Sequence, residues 1–109
     1  MAMYIITGCY TSAAMSALVN NSSDREAAVR PLIEAAGGQL ISFLVTTGET
    51  DFSAVVEIDD VEDLMAALIA VGATGTVSNL KTVQAFTSAQ FLEAQKKAGA
   101  LAASFKPAE

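Results

Sequence analysis

The 109-residue chain contains no histidine and one cysteine, Cys9. Without histidine it lacks the usual general base and the commonest transition-metal ligand, so Ser-His-Asp and Cys-His mechanisms are excluded within one chain type. A lone cysteine permits no intrachain disulfide. Cys9 lies in an apolar run with no base beside it and reads as a small buried residue rather than a nucleophile. Charge is also scarce, at 17% of residues, with a formal net charge of -6. The six basic residues, Arg25, Arg30, Lys81, Lys96, Lys97 and Lys106, form no cluster beyond the Lys96-Lys97 pair. That leaves no basic stripe to displace counterions from nucleic acid and none to hold an acidic membrane surface.

Long apolar runs are missing as well. AALIAVGA, at 66–73, is far shorter than a membrane span. The N-terminal MAMYIITGCYTSAAM has no basic segment before its apolar residues and reads as a strand rather than a leader. P-loop, dinucleotide, Cys-x-x-Cys and Gly-x-Ser-x-Gly motifs are all absent. The expectation is a cytoplasmic protein with no cofactor and no metal, and with neither nucleic acid nor membrane as a partner.

Apolar residues, by contrast, are abundant at 52%. A chain of this length forms one domain, taken as 1–109, and cannot hide so much apolar surface by itself. Burial against a second copy is expected.

Local patterns order the elements. MYIITGCYT (3–11) is rich in β-branched and aromatic residues and predicts a strand. A short helix follows over 12–21. Ser23 to Glu26 matches an S-x-x-E capping box, opening a helix that carries Ala27, Val29, Ile33 and Ala36 and stops at Gly37-Gly38. QLISFLVTT (39–47) and DFSAVVEI (51–58) predict a hairpin turning through Gly48, Glu49 and Thr50. Asp59 or Asp60 caps a helix with Val61, Leu64, Met65, Leu68, Ile69 and Val71 at helical spacing, ending between Gly72 and Gly75. A strand over 76–86, a second capping box at Thr87 to Gln90 and a helix closed by Pro107 complete the chain.

The order β-α-β-β-α-β plus a final helix predicts an α+β, ferredoxin-like fold with both crossover helices on one face of an antiparallel sheet. Strict alternation puts Tyr4 and Ile6 opposite Ile5, Thr7 and Cys9, and Leu40 and Leu44 opposite Ile41, Phe43 and Val45. Both sheet faces are then apolar, which predicts that both are covered. A second copy packed sheet to sheet is the simplest cover, making a homodimer or higher oligomer.

The acids Glu57, Asp59, Asp60, Glu62 and Asp63 do not have calcium-loop spacing and read as a helix start, where the dipole favours them. Tyr4, Tyr10, Phe43, Asp51, Asn79 and Lys81 are the residues that could face a cavity. The tyrosines bind and orient a ligand on one reading and are core or interface residues on the other. Asp51 is either a desolvated base or the residue that pins the hairpin through backbone amides.

GCYT (8–11), the Gly37-Gly38 stop, TTGETDFSAVVEIDD and ATGTVSNLKTVQAFTSAQF (73–91) together resemble the GYD-domain family of small bacterial proteins. Family members usually carry an aromatic residue where Thr50 stands. The Gly-x-x-Asp hairpin also resembles the ligand-binding domain of leucine-responsive transcription regulators and the wider dimeric α/β-barrel group. These resemblances imply a ferredoxin-like protomer paired through its sheet. By the regulator likeness they also imply a small-molecule ligand near Gly48 and Asp51. Three functions follow as expectations: a module that binds a small molecule or a protein partner; a cofactor-independent monooxygenase, isomerase or decarboxylase; or an assembly protein.

Overall fold

A computed structural model describes residues 1–108. Strands β1 (Ala2–Tyr10), β2 (Gln39–Val45), β3 (Phe52–Ile58) and β4 (Val77–Ala85) form one antiparallel sheet in the order β2-β3-β1-β4. Helices α1 (Ser12–Asn20), α2 (Arg25–Ala35) and α3 (Val61–Gly72) lie between strands, and α4 (Ser88–Leu101) follows β4. This is the ferredoxin-like arrangement that the order of apolar runs predicts.

The core lies between the sheet and α2 and α3. Tyr4, Ile6, Leu40, Ala54, Val56 and Ile58 from the strands meet Ile33 and Leu64 from the helices, and none is more than 9% exposed. β3 shows why: its residues alternate strictly between buried and half-buried, so one face lies under helices and the other does not. The open face carries Met3, Ile5, Ser42, Leu44, Val55 and Val83, and Leu44 and Val83 are more than half exposed.

Two local expectations are corrected. In β2 the pairing register shifts between Leu40 and Ser42, leaving Ile41 as an extra residue. A bulge exchanges the faces of everything beyond it. Phe43 therefore joins Leu40 on the helix side, and its ring stacks on Phe52 with centroids 5.8 Å apart. At the start of α2 the cap is Asp24 rather than Ser23: the Asp24 carboxylate accepts from the amides of Glu26 and Ala27 at 3.0 and 3.4 Å. The Ser23 hydroxyl instead accepts from the Arg25 guanidinium, and Glu26 pairs with Arg30 at 2.9 Å. A carboxylate one residue on is the stronger acceptor for helix amides.

The other caps form as the pattern predicts. Asp60 accepts from the Glu62 amide at 2.9 Å, and Thr87 and Gln90 make a reciprocal capping box. Despite that cap, α4 has no buried residue and makes no extended contact with the layers. Phe91, Leu92, Leu101 and Phe105 are at least half exposed. The chain is consequently 61 Å long with a radius of gyration of 17.9 Å, against roughly 13 Å for a compact chain of this length. Its surface of 7460 Å² likewise exceeds the roughly 5,700 Å² of a compact monomer of this mass.

Candidate functional site

A half-open cavity of about 250 Å³ lies between the sheet and the helices α1, α2 and α3. Five alanines, Ala14, Ala17, Ala28, Ala54 and Ala67, line it. Side chains this short cannot span the gap between a helix layer and a sheet, so space remains where larger residues would close the core. Phe43, Phe52 and Leu80 form much of the sheet-side wall. Gly8 lets them approach: a Cβ there would lie 2.7 Å from the Phe52 ring and 2.9 Å from Leu80. Leu80 reaches this position because Asn79 and Leu80 together oppose Gly8 in a bulge of β4, with Asn79 in the left-handed region at φ 53°.

The polar lining consists of Tyr10, Arg25, Thr74 and Thr76. The threonines are engaged, since their hydroxyls lie 2.6 Å apart and Thr74 Oγ1 donates to the Val71 carbonyl. Tyr10 tilts against Phe52 with centroids 5.3 Å apart. Burial raises its hydroxyl pKa above the ordinary 10.0, the Arg25 charge opposes the rise and the Asp51 carboxylate adds to it. At neutral pH the group is therefore a phenol, a hydrogen-bond donor rather than a base.

The hairpin corner beside the cavity is densely tied. Asp51 Oδ2 accepts from the Tyr10 amide at 2.8 Å, the Asp51 amide donates to the Gly8 carbonyl at 2.8 Å, and the Asp51 carbonyl accepts from the Thr46 amide at 2.9 Å. Cys9 Sγ donates to the Glu49 carbonyl at 3.3 Å and Thr46 Oγ1 to the Thr50 carbonyl at 2.7 Å. Gly48, at φ 123°, makes the turn in a conformation that a side chain resists. Of the two readings of Asp51, the geometry matches the second: its carboxylate fastens the hairpin to β1.

The sequence candidates thus separate. Tyr10 and Phe43 line the cavity, with Asp51 bracing Tyr10 from behind. Tyr4 is buried under α3, beside a shallower groove with Met65 and Gln84. Gly48 stands exposed at the hairpin tip, and Lys81, paired with Thr7, is exposed on the open face. Arg25 is not among those candidates, although one signal marks it. It is a cation in the first turn of a helix, where the dipole disfavours positive charge. Among the described residues no three histidine, cysteine or acidic side chains come together as metal ligands, and no helix is long and apolar enough to cross a membrane.

The GYD domain model matches residues 4–95. The chain belongs to the GYD family. No curated protein is detectably similar to it. Among solved structures, a transcriptional regulator from Neisseria meningitidis in complex with L-Met superposes with a TM-score of 0.57 at 17% identity. That match covers 80% of this GYD chain and 51% of the regulator. A hypothetical protein from Pyrococcus horikoshii gives 0.51 at 18% identity, covering 81% and 93%. A protein from Thermus thermophilus gives 0.50 at 21%, covering 81% and 96%. At these identities the likeness is one of fold, and it supports the ferredoxin-like arrangement of the GYD chain.

Proposed function

We propose that this GYD protein is a single-domain, self-associating module that binds a small molecule in the cavity under its helices. The observation that carries the reading is the cavity itself, apolar over most of its wall, which also bears the Tyr10 hydroxyl and an Arg25 guanidinium bonded only to Ser23. It supports binding better than catalysis, because Tyr10 and Arg25 are the only titratable groups on the wall among the described residues and neither accepts a proton at neutral pH. That the neighbour from Neisseria is a complex with L-Met is consistent with a binding role on this fold.

Self-association rests on the surface left over. The excess of roughly 1,800 Å² over a compact monomer is more than the roughly 800 Å² that each partner buries in an ordinary interface. Two apolar surfaces contribute, the open sheet face and α4. The sheet face bears one charge of each sign, Glu57 on β3 and Lys81 on β4, so a second copy is a charge-compatible occupant. A reducing compartment such as the cytoplasm suits its one cysteine, held as a thiol against Glu49.

Light scattering of the full chain is expected to give at least twice the 11.2 kDa chain mass. Toluene, added to ¹⁵N-labelled protein, is expected to shift the amides of Tyr10, Val29 and Thr76 selectively. A monomer at micromolar concentration would overturn the self-association reading. Cavity amides unmoved by toluene would overturn the binding reading.

A further inference from the structure

Resting on the reading that the cavity binds a small molecule, we infer that its ligand is a small carboxylic acid without an amino group. The apolar body fills the space among the alanines, and the carboxylate meets the Arg25 guanidinium and the Tyr10 hydroxyl.

Size comes first. An apolar cavity of about 150 Å³ holds a benzene molecule, so a space of about 250 Å³ suits a body of roughly ten non-hydrogen atoms. Charge comes second. The chain has two arginines, and they are used differently. Arg30 pairs with Glu26 at 2.9 Å and donates to the Leu40 carbonyl at 3.1 Å, which ties α2 to β2. Arg25 donates only to the Ser23 hydroxyl, at 2.7 Å, and has no carboxylate within ion-pair distance among the described residues. Most of its planar donor fork is uncommitted and stands on an apolar wall, where a carboxylate would be held by two parallel, charge-assisted hydrogen bonds. Its place at the start of α2 does nothing for the helix, because a cation there opposes the dipole.

Tyr10 supplies the second donor. Its hydroxyl makes no hydrogen bond among the described residues, and the Arg25 charge acts on it directly. An ammonium group on the ligand, by contrast, finds no anionic partner on the wall. The threonine hydroxyls on the wall are neutral and already bonded to each other and to Val71, and the Asp51 carboxylate is bonded to the Tyr10 amide and does not line the cavity. An ammonium group would be desolvated against alkyl side chains. The wall therefore separates simple carboxylic acids from amino acids.

The test uses three probes of one shape, octanoate, 1-octanol and octylammonium, titrated at neutral pH into the full-length ¹⁵N-labelled chain and followed at the Tyr10, Val29 and Thr76 amides. Octanoate is expected to bind at least ten-fold more tightly than 1-octanol, and octylammonium more weakly than either. Arg25→Gln is expected to remove the octanoate advantage, bringing octanoate and 1-octanol to similar affinity, and Arg25→Lys to restore part of it. The dispersion of each variant's amide spectrum reports that it is folded. Equal affinity for octanoate and 1-octanol at these amides, or an octanoate advantage that survives Arg25→Gln, overturns the carboxylate inference and leaves the binding reading standing. If none of the three probes moves the cavity amides, both fall together.

Discussion

The two faces of the sheet are built from similar residues and meet different fates. Under the helices, Val56 and Ile58 are almost wholly inaccessible, and the face closes with Leu64 of α3 into a core beside the cavity. Opposite them, Ile5, Val55, Val83 and Leu44 lie on a face that no helix among the described residues packs on extensively. Apolar side chains drive burial in proportion to area, whichever surface supplies the cover. What separates the faces is connectivity. The crossovers from β1 to β2 and from β3 to β4 carry α2 and α3 to one side, and the other side is left to α4 or to a second molecule.

That contrast predicts where substitutions act. Phe52 is buried on the helix side, stacked on Phe43 and tilted against Tyr10, so Phe52→Ala is expected to cost about 3–5 kcal/mol of folding stability, read as a lower denaturation midpoint. On the open face, Val83→Glu is expected to leave the circular dichroism spectrum intact while lowering the mass seen by light scattering to that of one chain. If Val83→Glu unfolded the chain, or Phe52→Ala changed only its association, the two faces would not have the separate roles assigned to them.

The hairpin corner sharpens the comparison at a smaller scale. Asp51→Ala leaves the Tyr10 amide without its acceptor and is expected to cost about 1–3 kcal/mol, with faster hydrogen exchange at the Tyr10 and Thr46 amides. Unchanged exchange would mean that the carboxylate does not hold the corner. The smallest expected effect is at alkaline pH. Burial of Tyr10, reinforced by Asp51 and opposed by Arg25, raises the phenol above its ordinary 10.0. A raised folded-state pKa contributes stability that is complete below the ordinary value and is lost as pH climbs through the folded one. The wild-type melting temperature is therefore expected to fall more steeply above about pH 10 than that of Tyr10→Phe, and parallel curves would count against a desolvated phenol.

Much of the element order was legible, because helical spacing and strand composition are local signals. The capping box at Thr87 and Gln90, the Asp60 cap and the Gly48 turn all follow from residues within a few positions of one another. The face of Phe43 was not legible, since one extra residue at Ile41 reverses the alternation and nothing in LISFLV marks which residue is unpaired. Ser23 matched the box motif, but the cap was decided by which oxygen reaches the amides, and that is the Asp24 carboxylate. Tyr10 was legible as a candidate; its partner Arg25 was not, because α1 and the loop after it separate the two in sequence and tertiary packing places both on the cavity wall.

By itself, then, the sequence determined what short-range chemistry controls: the strands, helices and most caps, the chemistries ruled out by a chain without histidine, and a high apolar content. Only the tertiary structure decided which sheet face the helices cover, that Asp51 turns back to the backbone, and that five alanines from four elements leave a cavity lined also by Arg25, which has no carboxylate partner among the described residues, and by the half-buried Tyr10. Those outcomes depend on residues far apart in the chain, whose meeting is set by crossover geometry and strand register rather than by any neighbouring residue.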